Sequence, residues 1–200
     1  MKHLYVEVIN NSVRIWGMTR WLSIAALLCT LAGGGCANLS FLPAEAAATL
    51  AHPTHVEAYR TGKLDDHPGY GGKMDGFAVI NTGDASPELA HNLGSLFSDP
   101  ATYLDDVRPN DFVPSVGYRF YRRLNDSGGA QVCIDVLIAF DCDEVLLVAR
   151  DSKLKETFRR MMESDPAREK LLEASRQAFE FDQLIQSLSE VRPAASMPSP

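Results

Sequence analysis

Residues 131–140 (QVCIDVLIAF) constrain the fold more than any other stretch of the chain. Val132, Ile134, Val136, Ile138 and Phe140 fall on alternate positions, which is the period of a β-strand. Asp135 is the one charge in this run, and a buried carboxylate needs a partner. Upstream, residues 116–124 alternate Val116, Tyr118 and Phe120 against Gly117, Arg119 and Tyr121. The intervening NDSGG (125–129) reads as a hairpin loop. Downstream, Asp141-Cys142-Asp143 turns the chain into a third strand over 144–149. Three strands with short connections predict an antiparallel meander. A hairpin centred near Asp126-Ser127 places Arg119 opposite Asp135, either as a cross-strand ion pair that fixes register or as an arginine that binds a ligand carboxylate.

Helical signals flank the meander. Residues 77–80 read as a short strand closed by Asn81-Thr82-Gly83. Ser86 then offers an N-cap, Pro87 suits the first turn and Glu88 favours a helix N-terminus. Leu89, Leu93, Leu96 and Phe97 share one helical face, and Asp99-Pro100 ends the helix. Beyond the meander, Asp151 or Ser152 is expected to cap a helix with an apolar face of Leu154, Phe158, Met161 and Met162. Asp165-Pro166 is expected to open another, lined by Leu171, Ala174, Ala178, Ile185 and Leu188. The fold class is therefore α+β, an antiparallel β-meander with helices packed on one face. Residues 76–190 form the expected domain, long enough to bury about two-thirds of the unfolded surface. Residues 36–75, rich in Ala and then Gly and Pro, read as a flexible linker with a short helix over 46–59. The Pro/Ser-rich 191–200 reads as a disordered tail.

The N-terminus reads as an address. Residues 21–44 carry no charge, and their first part, WLSIAALLCTLA, has the length of a signal-peptide core. Arg20 precedes it and Gly33-Gly34-Gly35-Cys36 follows, so 1–35 reads as a signal peptide. Met18 is the expected true start. The segment from Leu31 to Cys36 resembles a bacterial lipoprotein lipobox, with Gly33 where a lipobox prefers Leu. That resemblance implies that Cys36 is lipidated and becomes the first residue of the mature chain. Two other outcomes stay open: cleavage after Ala46, within an A-x-A-like Ala44-Glu45-Ala46, or retention of 21–42 as a single membrane anchor. All three place the rest of the chain outside the cytoplasm.

The net charge of −7 disfavours a general nucleic-acid binder, which needs a basic surface. Removing 1–35 leaves 16 basic and 25 acidic side chains, a net of −9. Such a domain is repelled by anionic headgroups, so membrane association depends on the tether. Of the four cysteines, only Cys133 and Cys142 belong to the folded part. Nine residues of strand span roughly 30 Å, whereas a disulfide needs Cα atoms within about 7 Å. Two free, partly buried thiols are expected.

The block from Phe112 through Pro114, Gly117 and Arg119, followed by Asp135 to Asp143, is similar to an uncharacterised family of exported bacterial proteins. Their pattern is roughly F-x-P-x-x-G-x-R, then a strand and a C-F-x-C hairpin tip. The resemblance spans residues 76–188 and implies the fold and export. Ala139 stands where the first hairpin cysteine would be, so Cys142 is alone and a paired-thiol site is not expected.

Other constellations read as structural. His52, His55, Asp65, Asp66 and His67 have zinc-ligand chemistry but no zinc spacing, and read as exposed linker residues. Asp141, Asp143 and Glu144 read as solvated turn acids, without the loop a Ca²⁺ site requires. Gly69-Tyr70-Gly71-Gly72-Lys73 fails the phosphate-loop pattern because Met74 follows the lysine. His91 falls mid-helix. No cofactor or metal is expected. The sequence supports a membrane-tethered cell-envelope lipoprotein with a non-catalytic binding domain, whose partners are the membrane through its lipid and an envelope protein. An exported hydrolase or metal-dependent enzyme is the alternative. Self-association through an exposed strand at 145–148 is a third.

Overall fold

The computed structural model describes residues 40–104, 111–124 and 131–188, all within a compact unit spanning Ala37–Pro200. The readings for the signal region, Cys36, the 125–129 loop and the 191–200 tail lie outside the described residues. Seven strands form one antiparallel sheet: β1 (His55–Gly62), β2 (Lys73–Met74), β3 (Phe77–Gly83), β4 (Val116–Arg123), β5 (Gln131–Ala139), β6 (Glu144–Arg150) and β7 (Glu156–Glu163). Their spatial order is β2-β3-β1-β4-β5-β6-β7. The helices are α1 (Ala44–Ala51), α2 (Pro87–Phe97), α3 (Arg168–Ala178) and α4 (Gln183–Ser187). The architecture is α+β, with the main apolar core on one face of the sheet.

Strand parity divides the side chains. Val56, Ala58, Val116, Tyr118, Phe120, Ile134, Val136, Ile138, Val145 and Leu147 point to one face. There they meet Leu50 of α1, Leu89, Leu93 and Phe97 of α2, and Leu171 and Leu172 of α3. Burying a Leu or Phe of this kind contributes about 2–3 kcal/mol, so this layer dominates the favourable burial. Tyr118 is fully buried and its hydroxyl donates to Ser175 Oγ of α3 at 3.0 Å, which satisfies the one polar atom it carries inward. The opposite face carries a smaller cluster of Met74, Leu137, Leu146 and Val148, edged by Tyr59, Phe77, Val79, Phe112 and Met161.

The β4-β5-β6 meander forms as expected, and Arg119 does face Asp135 across it. Ser86 caps α2, accepting from Leu89 N, with Pro87 in the first turn. Cys133 and Cys142 are free and buried.

Four expectations need correction. Residues 36–75 are not a linker alone: they hold α1, β1 and β2, and β1 lies between β3 and β4 inside the sheet. Val56 and Ala58 alternate with Glu57 and Tyr59 there, and paired strands on both sides outweigh the weak local signal. Residues 156–163 form β7, not a helix. Asp151 Oδ1 accepts from the backbone of Lys153 and Lys155, and Leu154 adopts φ 60°. This turn sends the chain back along β6, and tertiary pairing overrides helix propensity. Because β7 pairs with it, β6 is not a free edge for self-association. Finally, Asp165-Pro166 opens a 3₁₀ turn (Asp165–Ala167) before α3. The helix then breaks, and Asp182 restarts it by accepting from Leu184 N and Ile185 N.

Candidate functional site

Register on the helix-free face builds the site. Glu57 of β1 stands opposite Arg119 of β4, Arg119 opposite Asp135 of β5, Asp135 opposite Val148 of β6, and Val148 opposite Arg159 of β7. A parallel row runs Tyr59, Gly117, Leu137, Leu146 and Met161. A third runs His55, Tyr121, Cys133, Arg150 and Glu156. The middle row is thus charged, with an apolar row on one side and a mixed row on the other.

Asp135 is the centre of this face. Its side chain is 0% exposed. Arg119 donates to it through Nε at 2.6 Å and Nη2 at 2.9 Å, a bidentate fork, and Arg150 Nε donates at 3.3 Å. Charge-assisted, bidentate bonds of this kind are the strong ones. The hydrogen bonds that Arg119 donates to Asp135 raise the pKa of Arg119 above its ordinary value. Arg119 and Asp135 are paired in the structure, and the pair ties β4 to β5.

A third carboxylate enters from elsewhere. Met74 and Phe77 pair across Asp75-Gly76, a two-residue turn with φ of 50° and 92°. Asp-Gly is the preferred pair for such hairpins. From this tip Asp75 reaches Arg150 Nη2 and, at 3.1 Å, Arg159 Nη2. Arg159 also pairs with Glu156 at 2.8 Å. Since β2 and β7 are opposite ends of the strand order, the sheet curls until the β2-β3 end folds over the β6-β7 end. Gly117 permits this approach, because a Cβ there would meet Met74 Sδ at 2.5 Å. Asp75 lies within hydrogen-bonding reach of Asp135, and burial first, then Asp135, raises its pKa above the ordinary aspartate range.

A second cluster adjoins the first. The hydroxyls of Tyr59 and Tyr121 both donate to Glu57 Oε2, Tyr121 at 2.6 Å. His55 stacks on Tyr121 with ring centroids 5.8 Å apart, and the Arg119 guanidinium lies 6.0 Å from the Tyr59 ring centroid. Burial alone pushes Glu57 up. The two tyrosine hydroxyls, with His55 and Arg119, outweigh it and hold the carboxyl below its ordinary value. Burial and the bond to Glu57 push Tyr121 up to about 12. Beside this cluster lies a cleft of about 520 Å³ lined by Thr54, His55, Glu57, Tyr121, Arg123 and Gln131.

The remaining sequence candidates stay apart. His52 caps the C-terminus of α1, His55 begins β1 and His67 packs edge-on against Tyr70. Among the described residues, no group of three or more His, Cys, Asp and Glu is arranged to hold a metal ion. Asp143 and Glu144 are buried, not solvated. Asp143 pairs with Arg168 of α3, and Cys142 Sγ donates to Glu144 Oε2 at 3.4 Å. Burial pushes Cys133 up to about 11 and Cys142 up to about 12, so neither thiol is a ready nucleophile.

Sequence reading identified Arg119 and Asp135 and missed Asp75, Arg150, Arg159, Glu57, Tyr59 and Tyr121. The Asp75-Gly76 pair was a turn signal in plain view, but no local pattern shows that the turn lands on β6 and β7. No protein-family model, curated protein or solved structure matches the chain.

Proposed function

We propose that this protein is an exported cell-envelope lipoprotein, tethered to a membrane through Cys36, whose domain acts by binding. The observation that carries the tether is sequential: an uncharged apolar run behind Arg20, three glycines, then Cys36. The fold adds a length. Leu42, already buried against α1 and the sheet, lies six residues beyond Cys36. Six residues span at most about 20 Å, so a lipid on Cys36 holds the domain close to the bilayer. Among the described residues no helix is long and apolar enough to cross a membrane.

The binding reading rests on the Glu57 cluster. Two tyrosines hold an ionised carboxylate at the mouth of a cleft, and tyrosine is enriched among the residues that dominate interface energies. This surface fits a basic side chain of an envelope protein that enters the cleft beside His55 and Gln131 and approaches the Glu57 carboxylate. The test has two arms. Mass measurement of the N-terminal peptide from membrane fractions should find Cys36 acylated, and Cys36→Ala should move the protein to the soluble fraction. Cross-linking in whole cells should capture a partner that Glu57→Gln loses. An unacylated N-terminus beyond residue 36 would sink the tether, and a capture indifferent to Glu57→Gln would sink the surface.

The hydrolase reading draws on one feature, the neighbouring carboxyls of Asp75 and Asp135. Both are buried, behind the β2-β3 hairpin, so a substrate meets them only if that hairpin lifts. Turnover of an ester or glycoside by the wild type and not by Asp135→Asn would favour that reading.

A further inference from the structure

Asp75 is an awkward residue for a permanent structural role. Its side chain is 1% exposed, and one oxygen, Oδ1, takes the hydrogen bonds from Arg150 and Arg159. Oδ2 is buried and no donor is aimed at it; only a proton shared with Asp135, which lies within hydrogen-bonding reach, would satisfy it. The Asp135 carboxylate lies next to it. Burying an unsatisfied carboxylate oxygen beside a second carboxylate costs free energy. Yet two guanidiniums on adjacent strands converging on one carboxylate oxygen are what a receptor for a carboxylate requires.

The segment that delivers Asp75 is lightly attached. β2 is two residues long and pairs only with β3. Asp65, Asp66, Pro68 to Gly72 and Lys73 are exposed. A Cβ added at Gly69 or Gly71 would meet nothing within 4 Å. What fastens this arm to the curled face is Met74, seated on Gly117 and Leu137, together with Asp75 itself.

We infer that Arg150 and Arg159 form a carboxylate-binding site which Asp75 fills as an internal ligand, and that a small monocarboxylate competes with Asp75 for it when the arm lifts. Asp75 itself sets the ligand class, since it offers one carboxylate to Arg150 and Arg159. Around the vacated space the guanidiniums of Arg119, Arg150 and Arg159 face the carboxylates of Asp135, Glu156 and, opposite Arg119, Glu57. A carboxylate replaces the one negative charge that Asp75 supplied, whereas a phosphate dianion adds a second beside Asp135. Val148 lies in register between Asp135 and Arg159, so an apolar tail finds a hydrocarbon bed. The inference holds whether or not Cys36 carries lipid.

The test replaces the internal ligand. Asp75→Gly tolerates the positive φ and vacates a space the size of a carboxylate. Thermal unfolding of the full-length variant should shift upward with acetate, saturably, relative to chloride at equal ionic strength. The same shift in the wild type should need at least about tenfold more acetate, because Asp75 occupies the site. Arg150→Gln in the Asp75→Gly background should abolish it, and phosphate should give a smaller shift than acetate. In the wild type, acetate should speed amide hydrogen exchange across residues 74–79 as the arm is released. An Asp75→Gly response equal to that of chloride, or one that survives Arg150→Gln, overturns the inference. Should Asp75→Gly not fold, Met74→Ala keeps Asp75 and removes the apolar anchor. It should then respond to acetate at lower concentration than the wild type, and an unchanged response overturns the inference equally.

Discussion

Replacing Asp135 with Ala tests whether the charged row holds the sheet together. Asp135 is fully buried and accepts three hydrogen bonds, two from Arg119 and one from Arg150. Truncation removes the acceptor and leaves two guanidiniums without it. Breaking a buried pair in this way costs about 3–5 kcal/mol. The arginine side chains here are 25% and 19% exposed, so water reaches them in part and the low end applies, about 3 kcal/mol. With a urea m-value of about 2 kcal/mol/M for a domain of this size, the unfolding midpoint should fall by about 1.5 M. Asp135→Asn keeps one acceptor oxygen and should lose roughly half as much. The matched double variant Arg119→Met/Asp135→Leu removes both charges and should recover much of the loss, since apolar replacements of buried pairs are often neutral. The assay is urea unfolding followed by far-ultraviolet circular dichroism, read as a double-mutant cycle. A midpoint change below about 0.5 M for Asp135→Ala, or strict additivity of the Arg119 and Asp135 substitutions, refutes the reasoning.

Three further outcomes are expected. Gly117→Val drives a side chain into Met74 Sδ, so it should cost about 1–3 kcal/mol by overpacking and raise amide exchange at Met74 and Phe77 more than in β5; uniform exchange changes would contradict this. Burial and then Asp135 hold Asp75 above the ordinary aspartate range, so from about pH 4 up to that raised value the folded state keeps a proton the unfolded state has lost. The stability this group contributes therefore falls as pH rises through that window. The stability of wild type minus Asp75→Asn should shrink between pH 4 and pH 7 in denaturant titrations, and a difference that grows has the wrong sign. Buried Cys133 and Cys142 should alkylate slowly at pH 8 in the native protein and fully once unfolded, as peptide mass mapping will show; fast native labelling of either thiol contradicts their burial.

The legible parts of the fold share a property: they are decided within a few residues or across one short turn. The run around Ile134 and Val136 announces β5 by alternation, and Ser86-Pro87-Glu88 announces α2 by capping chemistry. Arg119 and Asp135 could be paired because a short hairpin is nearly symmetrical about its loop. The illegible parts depend on neighbours distant in sequence. In 55–62, Val56 and Ala58 give only a faint period, and the strand exists because β3 and β4 flank it. In 156–163 the spacing of Phe158, Met161 and Met162 fits a helix, but pairing with β6 puts Met162 into the main core and Met161 on the other face. Asp143 and Glu144 look like turn acids until Arg168 of α3 closes over Asp143.

The sequence by itself determined the α+β class, the central meander and the placing of Arg119 opposite Asp135. Each of these follows from period, capping or composition, which act locally. The tertiary structure alone decided that β2 and β3 fold across the sheet, that Gly117 makes room for Met74, and that Asp75 meets Arg150 and Arg159. Those contacts arise from the curl of a seven-stranded sheet, a property summed over all its strand pairs and written in no single segment.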